Sequence, residues 1–84
     1  MSSKHDKTLA DLFADPVKSN IRWTDVESLL RYLDAEMTEG AGSRVRIALN
    51  GVRAVFHRPH PSPYVDKGAV KSIRKFLTEA GVTP

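Results

Sequence analysis

The chain lacks cysteine, and it also lacks any long apolar run. Without cysteine it forms neither a disulfide framework nor a cysteine-based zinc site. No stretch approaches the ~20 consecutive apolar residues that a transmembrane helix needs. The opening residues, Met-Ser-Ser-Lys-His-Asp-Lys, have none of the apolar core of a secretory signal. We therefore expect a protein of the reducing cytoplasm that has no membrane partner.

Acidic residues are scarce in the second part of the chain. Residues 1–36 hold five Lys or Arg and seven Asp or Glu, whereas residues 37–84 hold eight basic and three acidic residues. The net charge is therefore −2 in the first part and +5 in the second. A localised basic surface favours a polyanionic partner such as nucleic acid. An unevenly charged but ordinary solvated surface is the alternative.

Asn50-Gly51 separates two runs in which apolar and polar residues alternate. This dipeptide is the strongest short-range hairpin signal, because both central residues of a type I′ turn need positive φ. A two-residue turn fixes the register, so Arg44 is expected to face His57. Alternation then divides the side chains between a core face and a basic face. The core face carries Val45, Ile47, Leu49, Val52, Ala54 and Phe56, and the basic face carries Arg44, Arg46, Ala48, Arg53, Val55 and His57.

Two helices are predicted, one before and one after the sheet residues along the chain. Thr24 and Glu27 form a capping box, and the first helix is expected to run from Thr24 to Ala35 or Glu36. Asp66 is the expected N-cap of the second helix, which covers Lys67 to Glu79 or Ala80, with Gly81 in the left-handed position after it. The helical and strand periodicities together predict a buried core. Its expected members are Val26, Leu29, Leu30, Leu33, Val45, Ile47, Phe56, Val70, Ile73 and Leu77.

The predicted strands are Glu36–Ala41, Ser43–Leu49 and Val52–His57. We therefore expect an α+β fold in which two helices pack on one face of a three-stranded antiparallel sheet. Residues 1–7 are expected to be frayed, with His5 irrelevant to function. A short helical turn within Lys7–Ala14 precedes the domain, and it is either docked or held out as an interaction arm. The predicted division is an N-terminal extension at 1–23 and a domain at 24–84.

Three short motifs in this order resemble the HicA family. They are Gly42-Ser43-Arg44-Val45-Arg46-Ile47, His60-Pro61 and Gly68-Ala69-Val70-Lys71-Ser72-Ile73. The resemblance covers roughly Thr24 to Ala80. HicA proteins are toxins of type II toxin–antitoxin systems, so the resemblance implies a double-stranded-RNA-binding-domain-like fold, metal-independent cleavage of mRNA, and a HicB-type antitoxin as partner. The family's usual motif has its catalytic histidine directly after Gly-Ser, where this chain has Arg44.

His57 and Arg44 are the candidate catalytic residues. His57, on the neighbouring strand, is expected to reach nearly the region that the usual histidine would occupy, because cross-strand neighbours on one face have Cβ atoms ~4.5–5.5 Å apart. Metal-free RNA cleavage needs a base for the 2′-hydroxyl and a cation for the phosphate, which histidine and arginine supply. The alternative is an ordinary strand-end histidine beside solvated arginines.

Other basic residues are candidates for binding RNA. In the resembled fold the last helix meets the phosphates of duplex RNA, whereas a solvated helix face is the alternative. His57 and His60 have no carboxylate close in sequence to complete a metal site, so we assign no metal and no cofactor. An RNA-binding module without catalysis and a protein–protein interaction module stay open as functions. The candidate RNA-binding residues are Arg46, Arg53, His60, Lys67, Lys71, Arg74 and Lys75.

Overall fold

Residues 3–84, which the computed structural model describes, form three helices and one antiparallel sheet. The sheet has the strand order β1-β2-β3, so each strand lies beside its neighbour in sequence. The predicted α+β arrangement of helix, sheet and helix is confirmed, with an additional N-terminal helix. The elements are α1 (Ser3–Leu12), α2 (Trp23–Tyr32), β1 (Glu36–Glu39), β2 (Arg44–Leu49), β3 (Val52–His57) and α3 (Lys67–Glu79).

The hairpin of β2 and β3 has the predicted turn and register. Asn50 and Gly51 adopt φ values of 51° and 82°, as a type I′ turn requires. The turn pairs Leu49 with Val52, and the pairing continues without a bulge to Arg44 and His57. The predicted division of the two faces is confirmed by burial. Val45, Ile47, Leu49 and Phe56 are buried, whereas Arg44, Arg46, Arg53 and His57 are exposed.

The helices cover the apolar face of the sheet and enclose the core with it. Nine of the ten predicted core residues are buried among the described residues, and Leu33 is the exception. Leu33 is only half-buried because α2 ends at Tyr32 rather than at Ala35 or Glu36. Asp34 takes φ 63°, and the amides of Asp34 and Ala35 bond back to the carbonyls of Arg31 and Leu30. This is a Schellman ending, in which aspartate stands where glycine is usual.

The start of α2 corrects the predicted capping box. The N-cap is Arg22 without a side-chain cap, Thr24 lies inside the first turn, and the Glu27 carboxylate accepts from Arg58 instead. The physical reason is that residues 21–23 pair through their backbone with residues 63–65, and the helix begins where this pairing ends. The Trp23 amide donates to the Pro63 carbonyl at 3.0 Å, and a bridge joins Arg22 to Tyr64.

The N-terminal helix is longer than predicted, and it is docked. Residues 3–7 are helical rather than frayed, and the part of that prediction that concerns residues 1 and 2 lies outside the described residues. Leu9 and Leu12 belong to the same buried cluster as the other helices. His5 is held in the fold, because its Nε2 lies 3.0 Å from Ser28 Oγ and its ring stacks obliquely on Tyr32 at 4.6 Å. That His5 is irrelevant to function stays a prediction.

The remaining elements follow the sequence closely. Strands β1 and β2 are both shorter than predicted. β1 ends at Glu39 rather than at Ala41, and β2 begins at Arg44 rather than at Ser43. Asp66 caps α3 by accepting the Ala69 amide at 2.8 Å, as predicted. Gly81 takes φ 80° after the helix, also as predicted. Within residues 3–84, no helix is both long and apolar enough to cross a membrane.

The two helix N-termini give a matched stability prediction. Asp66→Ala removes an observed cap and should lower the free energy of unfolding by about 1 kcal/mol. Thr24→Ala removes a hydroxyl that caps nothing and should change it by less than about 0.5 kcal/mol. Urea denaturation of both variants measures the difference. Equal losses would show that Thr24 has a capping role in solution.

Candidate active site

The sheet face that points away from the helices is called the open face here. Its register continues into β1, where Glu36 lies opposite Ala48 and Thr38 opposite Arg46. Three arginines and a histidine therefore share a face with a single carboxylate. Alternating strands place these side chains there, since successive residues point to opposite sides. The open face consists of Glu36, Thr38, Arg44, Arg46, Ala48, Arg53, Val55 and His57.

Arg44 and His57 lie directly opposite each other at the end of the hairpin. The next pair outward is hydrogen-bonded, because the Arg58 amide donates to the Ser43 carbonyl at 2.9 Å. Hydrogen-bonded and non-bonded pairs alternate in an antiparallel ladder, so Arg44 and His57 form a non-bonded pair. Such pairs have Cα atoms ~4.5 Å apart and bring their side chains close together. Both side chains are exposed, so the structure presents an imidazole and a guanidinium side by side to solvent.

A shallow depression of about 410 Å³ occupies the middle of the open face. Its polar lining comes from Glu36, Thr38, Arg46 and Arg53, and Val55 also lines it. Arg44 and His57 do not line it. They form the next same-face pair along the strands, about 7 Å from Arg46 and Val55. An extended ligand bound in the depression would therefore have the His57 imidazole at one of its ends.

Arg58 forms a clamp directly after His57, and sequence reasoning missed it. Its two terminal nitrogens each lie 2.7 Å from one Glu39 oxygen, a bidentate geometry. Its Nε and Nη2 also approach Glu27 Oε2 at 3.4 Å. Alternation places Arg58 on the helix side of the sheet, but no local pattern pairs it with α2. The clamp ties β1 and α2 to the strand end that carries His57.

The electrostatics of the clamp follow from these contacts. The hydrogen bonds from Arg58 hold the pKa of the Glu39 carboxyl below its ordinary value of 4.5. The same partner, Glu39, raises the pKa of Arg58 above its ordinary range, with a smaller contribution from Glu27. The Glu39 carboxylate is therefore ionised and paired with Arg58 near neutral pH, and this part of the clamp is intact there.

The other predicted RNA-binding residues are spread over three places. Arg46 and Arg53 lie on the open face, His60 is exposed in the proline loop, and Lys67, Lys71 and Lys75 are exposed on α3. Lys75 lines a groove together with Arg53, so the structure brings these two near each other. Lys67, Lys71 and His60 do not line the depression.

Helical spacing groups Arg74 with Lys71 and Lys75, but the contacts of its side chain differ from theirs. Its Nε donates to the Leu12 carbonyl at 2.8 Å and its Nη2 to the Ala14 carbonyl at 2.9 Å. Its guanidinium also lies 5.8 Å from the centre of the Phe13 ring. Carbonyls at a helix C-terminus lack intrahelical partners, so Arg74 completes the end of α1. These contacts point its guanidinium toward α1.

The described residues contain no cluster of three or more His, Asp or Glu side chains placed to hold a metal ion. The histidines and carboxylates of the open face are His57 and Glu36, which lie on the two outer strands. Through its own side chains this face offers proton transfer by an imidazole and anion binding by guanidinium groups.

Comparison with protein families identifies the chain. The family model described as the HicA toxin of bacterial toxin–antitoxin matches residues 23–82. The chain belongs to the HicA family. It is therefore a toxin of a toxin–antitoxin system, and a protein of that kind has an antitoxin partner. The match begins at Trp23, so α1 lies outside it. No curated protein and no solved structure matches the chain.

The clamp gives a pH-dependent stability prediction. A carboxyl whose folded pKa is depressed stabilises the fold above its unfolded pKa, and this contribution is lost as the pH falls through the folded pKa. Glu39→Gln should therefore lower the melting temperature at pH 7, and the difference from wild type should shrink as the pH falls below 4.5. Circular dichroism melts at pH 7 and pH 3 measure this. Glu36→Gln on the same strand is the control, because Glu36 makes no ion pair with a described residue. A deficit in Glu39→Gln that is independent of pH would exclude the ion pair as its cause.

Proposed function

We propose that this HicA-family toxin is a metal-independent endoribonuclease that acts on mRNA in the cytoplasm. The observation that carries the proposal is the non-bonded cross-strand pair of His57 and Arg44. Arg44 follows Gly42-Ser43, where the family's usual motif has histidine, and His57 supplies an imidazole from the adjacent strand. The two groups together have the chemistry that cleavage of RNA by its own 2′-hydroxyl needs.

In this mechanism His57 is the general base. Its neutral ring nitrogen takes the proton of the ribose 2′-hydroxyl, and the 2′-oxygen attacks the adjacent phosphorus. The bond from phosphorus to the 5′-oxygen breaks, and the departing oxygen takes a proton from water. The products carry a 2′,3′-cyclic phosphate and a 5′-hydroxyl, and His57 returns its proton to solvent.

Arg44 has the complementary role in this mechanism. Charge grows on the non-bridging phosphate oxygens as the 2′-oxygen attacks, and a guanidinium placed there stabilises it. Its planar fork binds two phosphate oxygens at once and stays charged at any working pH. Because Arg44 faces His57 across the strands, the base and the cation reach the same phosphate.

The remaining cations would hold the RNA backbone. Arg46 and Arg53 continue the basic surface from the catalytic pair along the depression. His60, Lys67, Lys71 and Lys75 would contact phosphates further out, where they add affinity without sequence specificity. Arg74, also a candidate from the sequence, would act mainly by fixing α1 against α3. A HicB-type antitoxin would neutralise the toxin by covering the arginines of the open face.

The first test removes the proposed base. His57→Gln should slow RNA cleavage by about 100-fold or more while the far-UV spectrum and melting temperature stay close to wild type. The wild-type rate should fall as the pH is lowered into the range where histidines become protonated. Addition of EDTA should leave it unchanged. The assay follows a labelled RNA and identifies the cyclic phosphate end.

His60→Gln is the matched control, since it removes an exposed imidazole from the neighbouring loop. If His60→Gln abolishes cleavage and His57→Gln does not, His60 becomes the base. If the wild-type protein binds RNA and cleaves none, the alternative of an RNA-binding module replaces the enzyme.

The second test concerns the basic face of α3. Replacement of Lys71 and Lys75 together by glutamine should weaken RNA binding for all sequences alike, and should reduce the slope of log K against log salt by about 1–2. Lys4→Gln with Lys7→Gln makes the same charge change on α1 and should leave the slope near wild type. Fluorescence anisotropy at several salt concentrations measures both. An equal effect of the two double variants would remove α3 from the binding surface.

A further inference from the structure

Among residues 3–84, no strand lies beside the backbone groups at the outer edge of β3. β3 is the last strand of the sheet, so only one of its sides is paired. The alternation fixed by the turn and by the Arg58–Ser43 bond points the amides and carbonyls of Val52, Ala54 and Phe56 toward β2. The amides and carbonyls of Arg53, Val55 and His57 therefore point outward. We call this row the β3 edge.

Proteins protect edge strands with charged side chains, proline, bulges, very short strands or covering segments. Among the described residues, the β3 edge has the charged side chain of Arg53 but none of the other features. β3 has six residues, contains no proline, and pairs with β2 without a bulge. By contrast, the opposite edge strand β1 has only four residues, and its Glu39 is held by Arg58. Val55, at the middle of the β3 edge, is 54% exposed.

A groove runs between the β3 edge and α3. Its volume is about 230 Å³, and α3 contributes Ser72, Lys75, Phe76 and Glu79 to its wall. Phe56 and Phe76 both line this groove, and their rings meet edge-on with centroids 5.9 Å apart. A sheet edge with a helix beside it is the geometry in which proteins bind extended peptides by adding a strand.

We propose that the β3 edge binds an extended acidic segment of a partner protein as a fourth strand of the sheet. The backbone of that segment would pair with the outward amides and carbonyls of Arg53, Val55 and His57. Its side chains on the open face would lie beside the same three residues. The favoured segment therefore has five residues in which the first and last are acidic, the third is apolar, and the second and fourth are of any type. Its carboxylates would lie next to Arg53 and His57, and its apolar residue next to Val55.

Charge selects this occupant over a second copy of the chain. Two β3 edges brought together would set two basic surfaces against each other, because each edge carries Arg53 with Lys75 in the adjoining groove, and repulsion between like charges opposes such a pairing. RNA matches the charge, but it has no backbone that continues a β-ladder. An acidic protein strand satisfies both the charges and the backbone groups of the edge.

The proposal refines the partner side of the proposed function, and it does not depend on RNA cleavage. An antitoxin with such a segment would place its carboxylates at Arg53 and His57. The test below uses a peptide and measures backbone protection, so failure of the nuclease assay and failure of this proposal give different results.

The experiment attaches the probe to the full chain. The Asn50 side chain donates to the Ala80 carbonyl at 2.8 Å, so the end of α3 lies beside the hairpin turn where β3 begins. The peptide Ser-Glu-Thr-Val-Thr-Glu-Ser is joined after Pro84 through a flexible linker of about 12 Gly and Ser residues, which spans roughly 20 Å, the length of β3. Tethering raises the local peptide concentration to the millimolar range.

Hydrogen exchange of the backbone amides, measured by NMR, is the readout. The amides of Arg53, Val55 and His57 should exchange about tenfold more slowly in the tethered protein than in the untailed chain. A matched tail with lysine in place of both glutamates should give no such protection. Unchanged exchange with the acidic tail, or equal protection by the two tails, would overturn the proposal.

A backbone variant separates strand addition from simple charge attraction. Val55→Pro removes an outward amide at an edge position that tolerates proline, whereas Val55→Ala keeps the amide and trims the side chain. Protection at Arg53 and His57 should be lost with proline and kept with alanine. If Val55→Pro does not fold, the exchange comparison of the two tails decides alone. Protection that appears in the untailed chain with rising protein concentration, or only on addition of an RNA oligonucleotide, would overturn the proposal in favour of that occupant.

Discussion

The type I′ turn at Asn50-Gly51 is the constraint on which the rest of the structure depends. Its two positive φ values set the register of β2 against β3, and a slip of one residue would exchange the two faces of the sheet. The same register places four apolar side chains under the helices and pairs Arg44 with His57. One turn therefore determines the core and the candidate site together. Asn50 also ties the turn to the end of α3 through the Ala80 carbonyl.

The sequence predicts the structure well where the signal is local. Asn50-Gly51, Asp66 and Gly81 each carry their conformational preference in their own chemistry, and the structure places each as expected. Asp34 shows the limit of that logic, because an aspartate takes the left-handed position in which glycine is usual. Its side chain gives only a faint signal for the end of a helix.

Two further features that the sequence did not predict are tertiary. Thr24 and Glu27 fit a capping box, but pairing of residues 21–23 with 63–65 moves the helix start and leaves Glu27 to Arg58. Arg74 fits a basic stripe, but the free carbonyls at the end of α1 offer it two strong acceptors. In each case a distant backbone segment outcompetes the local pattern, and no window of the sequence contains both partners. The candidate pair of Arg44 and His57 was predictable because the two-residue turn between their strands fixes which residues of β2 and β3 lie opposite each other.

The ion pairs explain why the open face keeps its charge. Among the described residues, the acidic side chains in salt bridges are Asp11, Asp25, Glu27 and Glu39, and none of them lies on that face. Arg44, Arg46 and Arg53 form none of these pairs, so their mutual repulsion opposes folding until an anion binds. A polyanionic substrate and an acidic protein strand would both relieve it, and both would use Arg53. The two ligands are therefore expected to compete through charge as well as through space. That coupling offers a physical route by which an acidic partner would hold a basic toxin inactive, in addition to covering the arginines of the open face.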